Sequence, residues 1–163
     1  MTTDFRDDRI GSALRGQNPT VLRRLPASFA VFGDLQFLPG YCVLLVDRPG
    51  VDRLSDLGRA DRSAFLDSLD LLGEAVERAC REQDAAFRRV NLEILGNTDA
   101  FLHAHVWPRY DWEPPSLVGR PVWLYPPTTW TTSAVPAGPG HAPLRAALGR
   151  ALDQLVAERG GAG

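Results

Sequence analysis

Lysine is missing from the 163-residue sequence: all 18 of its positive side chains are arginine. A GC-rich coding sequence accounts for the bias, and the consequence is that no Schiff base can form on a lysine amine. The 18 positive and 20 negative groups nearly cancel, and a formal net charge of −2 gives no general attraction to nucleic acid. Cysteine is scarce too. Cys42 and Cys80 lie too far apart for a close metal pair and read as reduced, buried small hydrophobes. No apolar run approaches the ~20 residues of a membrane span. The opening "MTTDFRDDRIGSALRGQ" is charged where a signal sequence would be apolar. A cytoplasmic location is expected, with neither membrane nor nucleic acid as partner.

What the chain does have is one domain's worth of patterned sequence. Residues 4 to 15 suggest a short helix with Phe5, Ile10 and Leu14 on one side. "TVLRRL" and "SFAVFGD" read as strands separated by Pro26, and "PGYCVLLVD" as a strand whose continuous apolar run implies burial on both faces. "RPGVDRLSDLG" is a loop. From about Ala60 to Gln83 the period changes: Phe65, Leu69, Leu72, Val76 and Cys80 draw one stripe along a helix. "AAFRRVNLEIL" returns to strand character, "GNTDA" breaks it, and another strand follows. After Arg109 the proline-rich segment predicts an irregular extension, closed by a helix from about Ala142 to Glu158 with Leu144, Leu148, Leu152 and Leu155 on one stripe. An "RGGAG" tail ends the chain. The sum is α+β: an antiparallel sheet with one long helix in residues 1–110, and the extension with its C-terminal helix in 111–163.

Histidine is nearly as rare as cysteine, with three in all against two, yet two fall in "FLHAHVWPRY". Side chains alternate along a strand, so Phe101, His103, His105 and Trp107 share one face while Leu102, Ala104 and Val106 face the core. That places both imidazoles on the more accessible side, roughly 6–7 Å apart at Cα. Such a pair suits metal ligation, a nucleophile beside an acid–base group, or local hydrogen bonding alone. A metal would need a third protein ligand, for which His141 and carboxylates such as Asp111 are the only candidates.

The segment around the pair resembles the histidine triad family of nucleotide hydrolases and transferases. That family's signature, three histidines at alternate positions running into Val-x-Pro-Arg, fits "HVWPR" with His105 third, His103 middle and Phe101 in the first place. Gly96, Asn97 and Thr98 match its small polar loop, Asn91 a polar residue that supports the site, and "FGDLQFLPGYCVLLVDRPGVDRLSDL" its opening strands. The likeness spans roughly residues 20 to 110. Phe101 departs from it, as does Tyr41, which stands where another histidine is frequent.

The resemblance implies a nucleophilic His103 that attacks an α-phosphorus to form a nucleotidyl-histidine. The residue at 101 fixes its tautomer through a main-chain carbonyl, which phenylalanine still offers. An ordinary imidazole, with a pKa of about 6.5, is mostly neutral at pH 7 and so able to attack. His105 would steady or protonate the leaving atom. Gly96, Asn97 and Thr98 would hold phosphate oxygens, and Asp34 ribose hydroxyls. Phe101 and Tyr41 would shape the pocket. The implied substrates are dinucleoside polyphosphates, nucleoside phosphoramidates or acyl nucleotides, with no metal and no cofactor. A nucleotide-binding module with little turnover and an enzyme for a non-nucleotide phosphorylated substrate are the competing readings. Trp107, Trp112, Trp123 and Trp130 are expected to pin the extension to the domain. Arg109 and Arg120 either meet phosphates or serve structure. A homodimer through residues 60–95 is also implied.

Overall fold

The long apolar stripe forms α2 (Arg59–Gln83), and Phe65, Leu69, Leu72, Val76 and Cys80 are all buried along it. In the computed structural model, which describes residues 4–132 and 134–160, this helix lies across one face of a five-stranded antiparallel sheet. The end of the "RGGAG" tail, 161–163, lies outside the described residues. The strands are β1 (Val21–Leu25), β2 (Ser28–Phe32), β3 (Cys42–Val46), β4 (Phe87–Glu93) and β5 (His103–Tyr110), in the order β1-β2-β3-β5-β4. Consecutive strands therefore pair at both ends, while α2 carries the chain from the middle of the sheet to its far edge.

Burial divides by strand parity, as alternation requires. Ala30, Phe32, Cys42, Leu44, Val46, Ala104 and Val106 face α2 and the leucines of α4 (Ala142–Gly160). Val31, Val43 and Leu45 point the other way, and the pairs Val43–His105 and Leu45–His103 put both histidines on that second face. There Phe29, Val31 and Leu45 form a smaller core with Ala13.

Ala13 belongs to α1 (Arg9–Leu14), which follows a 3-10 turn at Phe5–Asp8. The helix buries Ile10 and Ala13 while Leu14 is 42% exposed, so the apolar side differs by one residue from the sequence expectation. In so short a helix, contact with the sheet sets the rotation more strongly than three apolar residues do. The "RPGVDRLSDLG" loop includes a 3-10 turn at Leu54–Asp56. After β5 the chain is irregular, with a 3-10 turn at Val122–Leu124, the single turn α3 (Pro127–Trp130), and another 3-10 turn at Pro139–His141. Val122, Tyr125 and α4 join the same core as the sheet and α2.

Candidate active site

The loop between β2 and β3 is organised by a side chain whose role is not evident from the sequence. Gln36 is buried; its Nε2 donates to the carbonyls of Gly33 (2.8 Å) and Tyr41 (2.9 Å), and its Oε1 accepts from the Gly40 amide (2.9 Å). Gly40 has φ +99°, and a Cβ there would strike Cys80 Sγ, so both conformation and space call for glycine. Gly33 leaves room for the Tyr41 ring, which a Cβ would overlap. A polar residue between Leu35 and Phe37 is the signal that marks Gln36 in the sequence.

So placed, Tyr41 stacks on Trp107 (centroids 3.5 Å apart) and its hydroxyl lies 2.7 Å from His105 Nδ1. Burial raises the phenol's pKa well above its ordinary value, so it stays protonated and donates. The proton of His105 then sits on Nε2. His103 Nδ1 lies 2.8 Å from the Phe101 carbonyl, which can only accept, so Nδ1 holds the proton and Nε2 presents a lone pair. The two imidazoles meet edge to face at 5.0 Å. One therefore offers a bare nitrogen and the other an N–H.

The histidine face is less open than alternation alone implies. His103 is only 6% exposed and His105 is half-buried. Its cover is aromatic: Phe37 meets Trp107 at 5.7 Å and Trp130 edge-on at 5.0 Å, with Tyr125 behind at 5.8 Å. Burial, followed by the neighbouring His103, pulls the His105 pKa down from 6.5 to about 4. Because protonation then favours the unfolded chain, His105 costs stability progressively as pH falls from about 6.5 to about 4. The cost approaches about 2–3 kcal/mol, allowing for the solvent that still reaches the ring. Urea unfolding at pH 7 and pH 4 should show that loss in the wild type and a smaller one in His105→Gln. Equal losses would contradict the assignment.

Over this face lies a cavity of about 190 Å³, its floor made by Val31, Val43, Leu45 and Phe101 and its polar rim by His103, His105, Tyr41, Asp34, Arg9 and Asp99. Of the residues expected from sequence, His103, His105, Phe101, Tyr41 and Asp34 are thus brought together. Asp34 arrives already paired, with Arg9 Nη2 2.5 Å from its Oδ2. Arg9, distant in sequence and without a motif, was not identifiable beforehand.

Four others are not brought in. Gly96, Asn97 and Thr98 are exposed and do not line the cavity. The loop reaches the cavity only at the next residue, Asp99, and Gly96 takes φ +63°. Asn91 pairs across the sheet with Trp107, yet its Oδ1 accepts from Arg109 Nη1 (2.9 Å) and it lines a different cleft. Arg109 is structural: it is buried, bonded to Glu113 (2.8 Å), and donates to the carbonyls of Leu117, Val118 and Arg120. Three of the tryptophans expected to pin the extension do pack: Trp107 meets Trp130 edge-on at 6.0 Å, Trp130 also meets Phe37, and Trp112 stacks on Tyr110 at 4.8 Å. Trp123 is exposed and pins nothing.

His141 lines another cleft, and Asp111 pairs with Arg88 at 3.2 Å. Among the described residues, no three His, Cys, Asp or Glu side chains gather to hold a metal ion, and no helix is long and apolar enough to cross a membrane.

No family model and no curated protein matches the chain in sequence. Solved structures do match in fold. A histidine triad protein from Marinobacter aquaeolei VT8 superposes with a TM-score of 0.66 at 22% identity, over 83% of this chain and 89% of its own. A histidine triad (HIT) protein from Sinorhizobium meliloti 1021 gives 0.66 at 20%, over 90% and 93%. A Zn-bound histidine triad family protein from Mycobacterium smegmatis gives 0.59 at 18%, over 90% and 94%. The chain has the histidine triad fold.

Proposed function

We propose that the protein is a nucleotide phosphohydrolase or nucleotidyl transferase acting at an α-phosphate through a covalent nucleotidyl-histidine on His103. The observation that carries this reading is the complementary pair of tautomers. His103 Nε2 holds the lone pair that attacks phosphorus, and the bond to the leaving atom breaks with its electrons going to that atom. Water, or another acceptor, then attacks phosphorus and gives up its proton to solvent, the P–N bond breaks with its electrons returning to Nε2, and neutral His103 is restored.

His105 steadies the leaving atom through its Nε2–H. With its pKa held near 4 it is not an imidazolium at pH 7, so it lends a hydrogen bond rather than a full proton. Phosphate anhydrides and acyl nucleotides, whose leaving groups need little protonation, therefore suit the site better than phosphoramidates.

One observation favours a second reading, a nucleotide-binding module with little turnover. Gly96, Asn97 and Thr98, which would hold the phosphate oxygens, are exposed and do not line the cavity, although the next residue, Asp99, does. Phe101→His separates the two. For an enzyme that needs only the carbonyl at 101, kcat/KM on one good substrate should change by less than about tenfold, or ~1.4 kcal/mol. A gain of about 100-fold or more would favour a site whose turnover had been given up.

A homodimer belongs to the same proposal. β4 is an edge strand, and Leu92, Ile94 and Leu95, at and just beyond its end, are exposed. Burying such an edge against a second copy would remove its open hydrogen-bonding groups. Light scattering at micromolar concentration should give about twice the 17.9 kDa chain mass, and a monomer mass would contradict it.

A further inference from the structure

Resting on the nucleotide reading above, we infer that the active-site cavity continues into a second, anion-binding cleft, and that the substrate is a nucleotide with a second phosphate on its ribose 2′ or 3′ oxygen. Phe32 and Asp34 line both spaces, so the cleft begins where the ribose hydroxyls would lie. Its volume is about 390 Å³, and its far walls come from the N-terminal turn, the Pro136–Pro139 segment and the start of α4.

The charge at this junction does not suit a plain ribose. A lone carboxylate reads ribose hydroxyls, whereas a nearby arginine accommodates a phosphate on the same sugar. Here Asp34 is bound by Arg9 at 2.5 Å and approached by Arg6 Nε at 3.4 Å, so it acts as their counter-ion. Arg145 adds a third guanidinium on the cleft wall. The carboxylates paired with this group are Asp34 and Asp4, the latter 3.3 Å from Arg6. Three cations against two anions leave a positive excess.

The donors are also held in place. Arg145 is anchored through Nη2 alone, to the carbonyls of Pro19 and Val21, and its guanidinium lies 5.8 Å from the Phe32 ring centroid. Its Nε and Nη1 make no hydrogen bond among the described residues, which leaves part of the fork for a phosphate. On the same wall, His141 Nδ1 accepts from the Gly138 amide at 3.1 Å, which leaves Nε2–H as another donor.

Calorimetric titration with AMP, adenosine 2′,5′-bisphosphate and adenosine 3′,5′-bisphosphate tests this. One bisphosphate should bind at least about tenfold more tightly than AMP. The advantage should fall below about threefold in Arg145→Gln and in Arg6→Gln, with circular dichroism verifying the fold. Arg6 is half-exposed, so its variant keeps the experiment decisive even if Arg145→Gln disturbs its backbone tether. Equal affinity for AMP and both bisphosphates would overturn the second site and leave the nucleotide reading standing. A preference that survives in both variants would place the phosphate elsewhere and overturn the site as well. Failure of all three ligands to bind would remove the nucleotide reading and this inference together.

Discussion

Replacing His103 with alanine is expected to abolish at least ~100-fold of any hydrolytic activity, because under the proposed mechanism it removes the atom that bonds to phosphorus. The fold should persist. His103 makes one hydrogen bond, to the Phe101 carbonyl, and borders a cavity from which water can replace it. The loss should appear in kcat more than in KM, since the floor of Val31, Val43 and Leu45 is untouched. Intact-protein mass spectrometry after mixing with substrate supplies the second arm. The wild type should gain one nucleotidyl mass and the variant none. Equal activity in the two proteins, or an adduct on another residue, would falsify the covalent mechanism.

The second large effect is on stability. Glu113→Ala should destabilise the protein by about 3–5 kcal/mol, because it leaves a buried guanidinium without its counter-charge. Arg109 is 5% and Glu113 0% exposed at the side chain, and the pair is closed at 2.8 Å. Glu113 also accepts from the Tyr110 amide (2.7 Å) and the Tyr125 hydroxyl. Arg109 in turn ties down the carbonyls of Leu117, Val118 and Arg120. Loss of one carboxylate thus unfastens the start of the extension, and with it the Tyr125 contact to Phe37 that supports the cavity's aromatic cover. Thermal unfolding should move down by on the order of 10 °C for a chain of this size. Removing both charges, as in Arg109→Met with Glu113→Leu, should cost less than the single change, since no unpaired ion remains. A loss below about 1 kcal/mol for Glu113→Ala would mean that the pair only breaks even with solvent.

Much of the framework was legible in the residues. α2 and α4 followed from stripes at helical spacing, the burial of β3 on both faces from its continuous apolar run, and the faces of β5 from alternation. These signals are local, since a helix or strand exposes its periodicity within its own ten or twenty residues. The register of His103 is local for the same reason, and the family resemblance added that the carbonyl at 101, just before the strand, would fix its tautomer. Loops carry no such local signal of where they sit relative to a site. Gly96, Asn97 and Thr98 precede the strand closely in sequence and are exposed outside the cavity lining, while the next residue, Asp99, reaches the rim.

Contacts that join distant parts of the chain were settled by tertiary structure alone. Tyr41 and His105 are 64 residues apart, and only the pairing of β3 with β5 sets the hydroxyl against the ring. That contact, and the burial around it, decide which nitrogen of His105 carries the proton and keep the ring neutral at pH 7. Arg9 reaches Asp34 across 25 residues because α1 folds over the second face of the sheet. The sequence by itself determined which residues form the strand of histidines, since that depends on neighbours along the chain, while the bare nitrogen of His103 was implied by the family resemblance and rests on the Phe101 carbonyl. The fold decided how buried the pair is, what faces it and which charges crowd the ribose end, because burial and charge in a cavity are sums over segments that meet only when the chain is folded.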